Sequence, residues 1–388
     1  MIPAEGNAVW LLGSGFSAPL GGPLLSDLFR QETKEEILAY FSEEHYPDLA
    51  ESLPWVQRTF HLGMAKGLWK NAEQYLAFVD DAYNNGAGAK HRRIDKLIHD
   101  AHREAGNDAA NSGRFDAFQK YRAKVIANFD RIVKRGLASE VSRFLIQSSS
   151  AAELWLPYRN WIQSLRPGRD TVVSFNYDRV IEIAAQAMTV DSSKLWFGVP
   201  GKEAPKDKVP VLRLHGSVEW RVSTDPQNPK RRVVDTGGGA DLLRSPTEEI
   251  AIAAPGGTKS AFVSDHFQSL WTLSEDALTS ASTLFVVGYS FPDTDPTAQH
   301  RLLGAFAAGA SIGHRAAHIV MGSEVTAASR RMLSLIKSTA RNRLVRVSDA
   351  TSDVVTLSSS TFNIVQHPLG TQDFIGRHKE YTTPVHMR

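Results

Sequence analysis

Cysteine is missing from all 388 residues. That single absence excludes disulfides, thiol nucleophiles and every cysteine-based zinc site. Long apolar runs are missing too: none approaches the roughly 18 residues of a membrane-spanning helix. The first residues include Glu5 and only a short apolar run, so no secretory leader is expected. An excess of one charge is also lacking. Forty-four basic residues face 42 acidic ones, a formal net charge of +2. The chain as a whole therefore has no strong pull toward nucleic acid or a membrane surface. With 42% hydrophobic residues it can build a large core, as one big domain or two. These absences describe a soluble protein, most simply a cytoplasmic one.

What is present begins near the start. A short apolar run, Val9 to Leu12, leads directly into Gly13-Ser14-Gly15-Phe16-Ser17, with Gly21 and Pro23 a turn further on. Such a run suits one buried parallel strand. Glycines at a strand exit let the backbone approach a ligand without a Cβ in the way, and the amides beyond can face a diphosphate at a helix start. A purely structural tight turn explains the same residues equally well. A dehydrogenase-type fold also needs an acidic residue closing a second strand about 20 residues later. Here that region holds Ile37, Leu38 and Phe41 at helical spacing, so Glu35 and Glu36 read as a solvated helix face.

From about residue 31 to 165 the pattern is helical. Tyr75, Phe78, Val79 and Tyr83, then Phe115, Phe118, Tyr121 and Val125, then Ile132, Leu137, Val141 and Leu145 recur at three- and four-residue steps. Loops are expected over 84–89 and 106–113. Strand–helix alternation resumes with strands over 171–175, 209–214, 250–253, 283–287 and near 316–321. Helices are expected over 178–188, 265–280, 296–308 and 325–338. This predicts an α/β fold, a doubly wound and mostly parallel Rossmann-like sheet, with a large helical insertion. Residues 1–30 and 166–388 form the sheet domain in this reading, and 31–165 the insertion or cap. The tail after 340 is strand-like and polar.

Ligands of open parallel sheets bind beyond the carboxyl ends of the strands. The residues just past those ends are Gly13-Ser-Gly-Phe-Ser17, then Asn176-Tyr-Asp178, then His215-Gly-Ser217, then Gly288-Tyr-Ser290 running on to Asp295. Alone, each has a bland explanation. Asn176 and Asp178 are typical helix caps, a histidine before a glycine is commonly structural, and Gly288-Tyr-Ser290 can be a simple turn. Together, in order and each at a strand end, they form a set.

That set resembles the sirtuin fold, and within it the bacterial sirtuin-like NAD hydrolases of anti-phage defence. The resemblance covers 8–29 and about 170–310. Deacylating sirtuins usually carry a four-cysteine zinc module, which this chain cannot build, and Phe175 stands where they have glutamine. The resemblance thus implies NAD as substrate, no metal, and hydrolysis to nicotinamide and ADP-ribose. A protein deacylase and a silent NAD- or ADP-ribose-binding subunit are the alternatives. It further implies a catalytic pair, Asn176 and His215. Gly13, Ser14, Gly15 and Ser17 would cradle the phosphates, Asp178 would orient or cap, Ser290 and Asp295 would serve the adenosine side, and Phe16 and Gly288 would complete the cofactor-binding set. Implied partners are other copies of the chain in a homo-oligomer and a separate defence protein, such as a HerA-type ATPase or an Argonaute-like protein. The insertion is expected near the site mouth.

Other polar groups carry weaker signals. His314 and His318 are four apart in a strand-like segment without an acidic companion, a poor metal pattern. His99 and His102 read as surface residues. Arg92-Arg93 and Lys230-Arg-Arg232 are local basic patches, either solvated or in contact with a partner or nucleic acid.

Overall fold

The computed structural model describes residues 6–24, 27–29, 47–84, 92–100, 129–148, 152–186, 194–236, 249–256, 258–292, 295–309, 315–322, 330–331, 334–335, 338, 345–347, 355–358 and 362–382. The helix expected around 37–41 and the periodic run from Phe115 to Val125 lie outside them. So do the loop over 106–113, most of the one over 84–89, His102 and His314. The chain forms two compact units. One comprises residues 1–22, 147–215 and 267–388, the other 23–146 and 216–266.

The first unit is built on a nine-stranded sheet. Its strands in chain order are β1 (Ala8–Leu12), β2 (Asp170–Ser174), β3 (Leu195–Phe197), β4 (Val209–Arg213), β8 (Thr283–Val287), β9 (Arg315–Val320), β10 (Val345–Val347), β11 (Val355–Ser358) and β12 (Phe362–His367). The spatial order is β10-β11-β12-β9-β8-β1-β2-β4-β3. From β12 to β3 the seven strands run parallel, while β10 and β11 are antiparallel. All five β1 residues are buried, as are all five of β8, which is why both read as continuous apolar runs rather than alternating ones. The chain leaves β1 for one side of the sheet through β2 to β4 and later returns on the other side at β8. β1 is therefore the topological switch point, where open α/β sheets form their ligand crevice. Leu12 lies opposite Ser174 on one side and Val287 on the other, so the three strand ends are flush.

An aromatic ladder crosses one face of this sheet. Trp10 stacks on Phe285 at 4.0 Å, Phe285 on His318 at 4.9 Å, and His318 on His367 at 5.2 Å. Trp161 of the helix Ala152–Ser164 and Phe374 of the helix Thr371–Thr382 close over Trp10. The described residues of the polar tail thus prove to be three strands and a helix of the main unit. The expected helix over 265–280 is two, Lys259–His266 and Gln268–Ser280, separated at the fully buried Phe267.

The second unit contains the helices Pro47–Ala65, Ala72–Asn84 and Phe129–Ser148, with 92–100 also helical. Phe29, Phe60, Tyr75 and Trp69 form its aromatic core. It also contains a small antiparallel sheet of β5 (Gly216–Asp225), β6 (Asn228–Asp235) and β7 (Glu249–Ile252), in the order β6-β5-β7. This corrects one expectation, since the apolar run at 250–253 joins this sheet and not the main one. Val218, Trp220 and Val222 are buried between the less buried Glu219, Arg221 and Ser223. That period-two alternation is the mark of an antiparallel strand with one face covered. Arg221 and Asp235 pair across the hairpin at 2.6 Å.

Candidate active site

The glycine loop Gly13–Ser17 is fixed from every side within the first unit. Asn176 Nδ2 donates to the Gly13 carbonyl at 2.9 Å and to Ser17 Oγ at 3.0 Å. Ser17 Oγ in turn donates to Asp178 Oδ2 at 2.6 Å. Tyr158 OH donates to the Phe16 carbonyl at 2.7 Å, and Thr371 Oγ1 to the Gly15 carbonyl at 2.8 Å. The Gly15 amide donates to the Gly288 carbonyl at 3.1 Å. The loop glycines also have a packing duty. A Cβ on Gly13 would lie 2.5 Å from the Gly288 carbonyl oxygen, and one on Gly15 2.7 Å from Gly288 Cα. Gly288, at φ +65, would put a Cβ 2.5 Å from the Gly15 backbone. Two strand-end loops pack backbone to backbone here, and only glycine permits it.

The Gly13, Gly15 and Phe16 amides are all bonded within the chain. Phe16's ring turns into the core against Tyr158 and Trp161. The half-buried hydroxyls of Ser14 and Ser290 are the polar side chains these two loops leave for a ligand.

Asn176 and Asp178 follow β2. With its Nδ2 protons committed, Asn176 offers a ligand Oδ1, an acceptor. Asp178 accepts from Ser17 through one oxygen and from the Val180 amide at 3.0 Å through the other, capping the helix Val180–Gln186. Burial pushes its carboxyl above the usual range, against the opposing pull of the Ser17 bond and the Arg213 charge. Arg213, at the end of β4, forms a buried fork on Glu182 and donates to the Asn176 carbonyl at 2.9 Å. The β2 loop and the β4 end are thereby locked together.

His215 follows β4 and is 5% exposed. Its ring meets Phe175 edge-on at 4.9 Å, with Trp271 at 6.3 Å and Tyr177 at 6.3 Å. Phe175 itself stacks on Tyr289, with centroids 3.8 Å apart and planes 3° from parallel. His215 Nε2 lies 3.0 Å from Asp295 Oδ2. Asp295, expected on the adenosine side, is thus placed against the histidine.

Four participants escaped sequence reasoning. Trp271 lies in the helix Gln268–Ser280 and donates to the Leu214 carbonyl at 3.1 Å. Tyr158 and Thr371 hold the glycine loop from helices distant in sequence. Arg331 donates to the Ser290 carbonyl at 2.8 Å and to that of Phe291, whose φ of +47 is rare outside glycine. The Pro292–Asp295 sequence hints at a turn, but nothing local announces the arginine. Among the described residues no three His, Asp or Glu side chains gather as a metal-binding group.

The switch point at β1, with Asn176, Asp178, His215 and Asp295 gathered at neighbouring strand ends, defines a Rossmann-like α/β domain with a polar site at the sheet's carboxyl edge. Residues 170–333 match the family model described as SIR2-like domain. That span contains three of the four strand-end motifs, and the fourth, Gly13–Ser17, is bonded directly to two of them. Among curated proteins none matches the chain. A SIR2-like domain carries an NAD-related chemistry in general terms.

Proposed function

We propose that this chain is an NAD glycohydrolase, cleaving NAD to nicotinamide and ADP-ribose. The observation that supports this most is that Asn176, which holds the glycine loop, and the buried His215, in ring contact with Phe175 and Tyr177, stand at neighbouring strand ends. The polar groups present fit a dinucleotide with one adjustment. Phosphate and ribose oxygens would be met by the hydroxyls of Ser14 and Ser290 rather than by the amides of Gly13, Gly15 and Phe16.

In this reading the glycosidic bond breaks with its electron pair passing to the pyridinium nitrogen. Nicotinamide then leaves as a neutral molecule, so no general acid is needed. The sugar passes through an oxocarbenium-like state, as in glycoside hydrolysis. Water adds to the anomeric carbon, and His215 accepts its proton. Asn176 Oδ1 accepts from a ribose hydroxyl or from that water and fixes its direction. A fixed constellation lowers the entropic part of the barrier. The Phe175–Tyr289 stack and Phe291 wall the site with apolar surface. No metal enters this sequence of steps.

Cellular NAD depletion as the effector of a bacterial anti-phage system belongs to the same reading, supported by the four-motif resemblance. So do a homo-oligomeric form and a separate defence partner. A cytoplasmic setting accords with the described helices, none of which is long and apolar enough to cross a membrane.

The test is nicotinamide release from NAD by purified wild type and by Asn176→Ala. Wild type releases nicotinamide, and the variant is slower by at least the ~10²-fold typical of losing a positioned catalytic group. Equal rates in a folded variant would remove Asn176 from the mechanism.

A further inference from the structure

We infer that Thr371 is a positioning residue of the proposed dinucleotide site. Through its hydroxyl, the helix Thr371–Thr382 fixes the glycine loop that carries Ser14. What the loop binds is taken from the hydrolase reading above; the contact itself stands without it.

The loop cannot hold its own shape. Its helical part, Ser14–Ser17, is four residues long, too short to persist unaided, and glycine at 13 and 15 leaves the backbone at its softest. Ties from outside must supply the order. Two come from strand ends of the sheet: Asn176 Nδ2 donates to the Gly13 carbonyl, and the Gly288 carbonyl accepts from the Gly15 amide. Two more come from helices, Tyr158 OH on the Phe16 carbonyl at 2.7 Å and Thr371 Oγ1 on the Gly15 carbonyl at 2.8 Å. The planar peptide joining Gly15 to Phe16 is thereby bonded at both ends, its carbonyl to Thr371 and its N–H to the Gly13 carbonyl at 2.8 Å. Ser14 stands between peptides that are bonded in turn, at the Gly13 carbonyl on one side and the Gly15 amide on the other. The placement of its half-buried hydroxyl follows from the same ties.

Thr371 can fix a distant loop because its own helix is fastened. Phe374 is fully buried, with Trp10 at 6.5 Å and Phe285 at 6.1 Å. Gln372 Nε2 donates to the Leu154 carbonyl at 3.0 Å and His378 meets Ser164 Oγ at 2.9 Å, near opposite ends of the helix Ala152–Ser164. Between them the helices come close at Gly376, where a Cβ would lie 3.7 Å from the Pro157 side chain. Tyr158 belongs to that same helix, so the two hydroxyls that grip successive loop carbonyls share one scaffold. Capping does not account for the Thr371 bond, since a cap accepts from an amide of its own first turn, whereas Thr371 donates to a carbonyl 356 positions away. Thr371 is 6% exposed, so little water can replace its hydroxyl if it is removed.

Thr371→Val keeps the shape and removes the hydroxyl, while Thr371→Ser keeps the hydroxyl. In ligand-free Thr371→Val, hydrogen-exchange protection of the Gly15 and Phe16 amides should fall by about tenfold while the β1 amides keep theirs, the size of one lost tie. With NAD, KM should rise by about tenfold and kcat stay within about threefold, as when binding shared by ground and transition states is removed. Thr371→Ser should restore both. Should the valine variant fail to fold, Thr371→Ala is read in the same two ways. Unchanged protection at Gly15 and Phe16, or protection lost equally across β1, would overturn the inference. So would an unchanged KM beside a loosened loop, or a serine variant that behaves like the valine one. A wild type that neither binds nor cleaves NAD, with the loop loosened by valine and restored by serine, would uphold Thr371's hold on the loop and reject the hydrolase reading instead.

Discussion

Acidification should destabilise the main unit through two histidines that take no part in the proposed chemistry. His318 and His367 sit face to face on β9 and β12, with His318 Nδ1 2.9 Å from His367 Nε2. Both are 3% exposed. Burial, then the neighbouring His367, lowers His318 from 6.5 to about 3, and burial lowers His367 to about 4. Their folded pKa values are depressed, so the unfolded chain takes up two protons that the native state refuses. Stability is fully present above about pH 6.5 and is lost as pH falls toward the folded values. Each group contributes about 1.4 kcal/mol per pH unit across that window. At about pH 5 the loss is about 2 kcal/mol per imidazole and about 4 kcal/mol for the pair, a large share of the ~5–15 kcal/mol of a typical domain. Denaturant unfolding at about pH 7 and pH 5 reads this directly. His318→Phe, which extends the aromatic ladder, should remove about half of the pH dependence. NMR of the two rings gives a second reading, since both should remain neutral at about pH 5. Ordinary titration midpoints near 6.5, or a variant with wild-type pH dependence, would refute the reasoning.

The backbone packing at the site makes a sharper stability prediction. Gly288→Ala places a Cβ 2.5 Å from the Gly15 backbone at a φ of +65. It should cost about 3 kcal/mol or more in urea unfolding, from overpacking plus left-handed strain, and a loss under about 1 kcal/mol would show that the loops part easily. Chelator treatment should leave both the melting temperature and nicotinamide release unchanged; a stoichiometric metal whose removal lowers either would reveal a site.

Legibility in the sequence depends on how local each signal is. β1, β2, β4 and β8 are readable because strands buried on both faces are written as unbroken apolar runs, Ala8–Leu12 and Thr283–Val287 above all. The motif residues are readable because strand ends and the turns after them are adjacent in sequence. What those residues touch is not. His215 and Asp295 are separated in sequence by the whole small antiparallel sheet, two helices and β8. Phe16 looks like part of a ligand loop, and only the packing of the helix Ala152–Ser164 shows its ring in the core. Thr371 reaches Gly15 across 356 positions, and no local pattern encodes such a contact. β5 carries an alternation that the stronger apolar runs overshadow. His318 stands out in the sequence for its spacing from His314, yet its partner is His367, two strand positions beyond its register mate Val365.

The claim that this site cleaves NAD with water is tested most directly in heavy-oxygen water. Purified chain is incubated with NAD over a wide range of protein concentration, and the products are resolved by mass spectrometry. The account predicts nicotinamide together with ADP-ribose carrying the heavy oxygen at its anomeric hydroxyl, with Asn176→Ala slower by about 10²-fold or more. NAD left intact by the folded protein, or cleavage that occurs only when an acylated peptide supplies the acceptor, would contradict it.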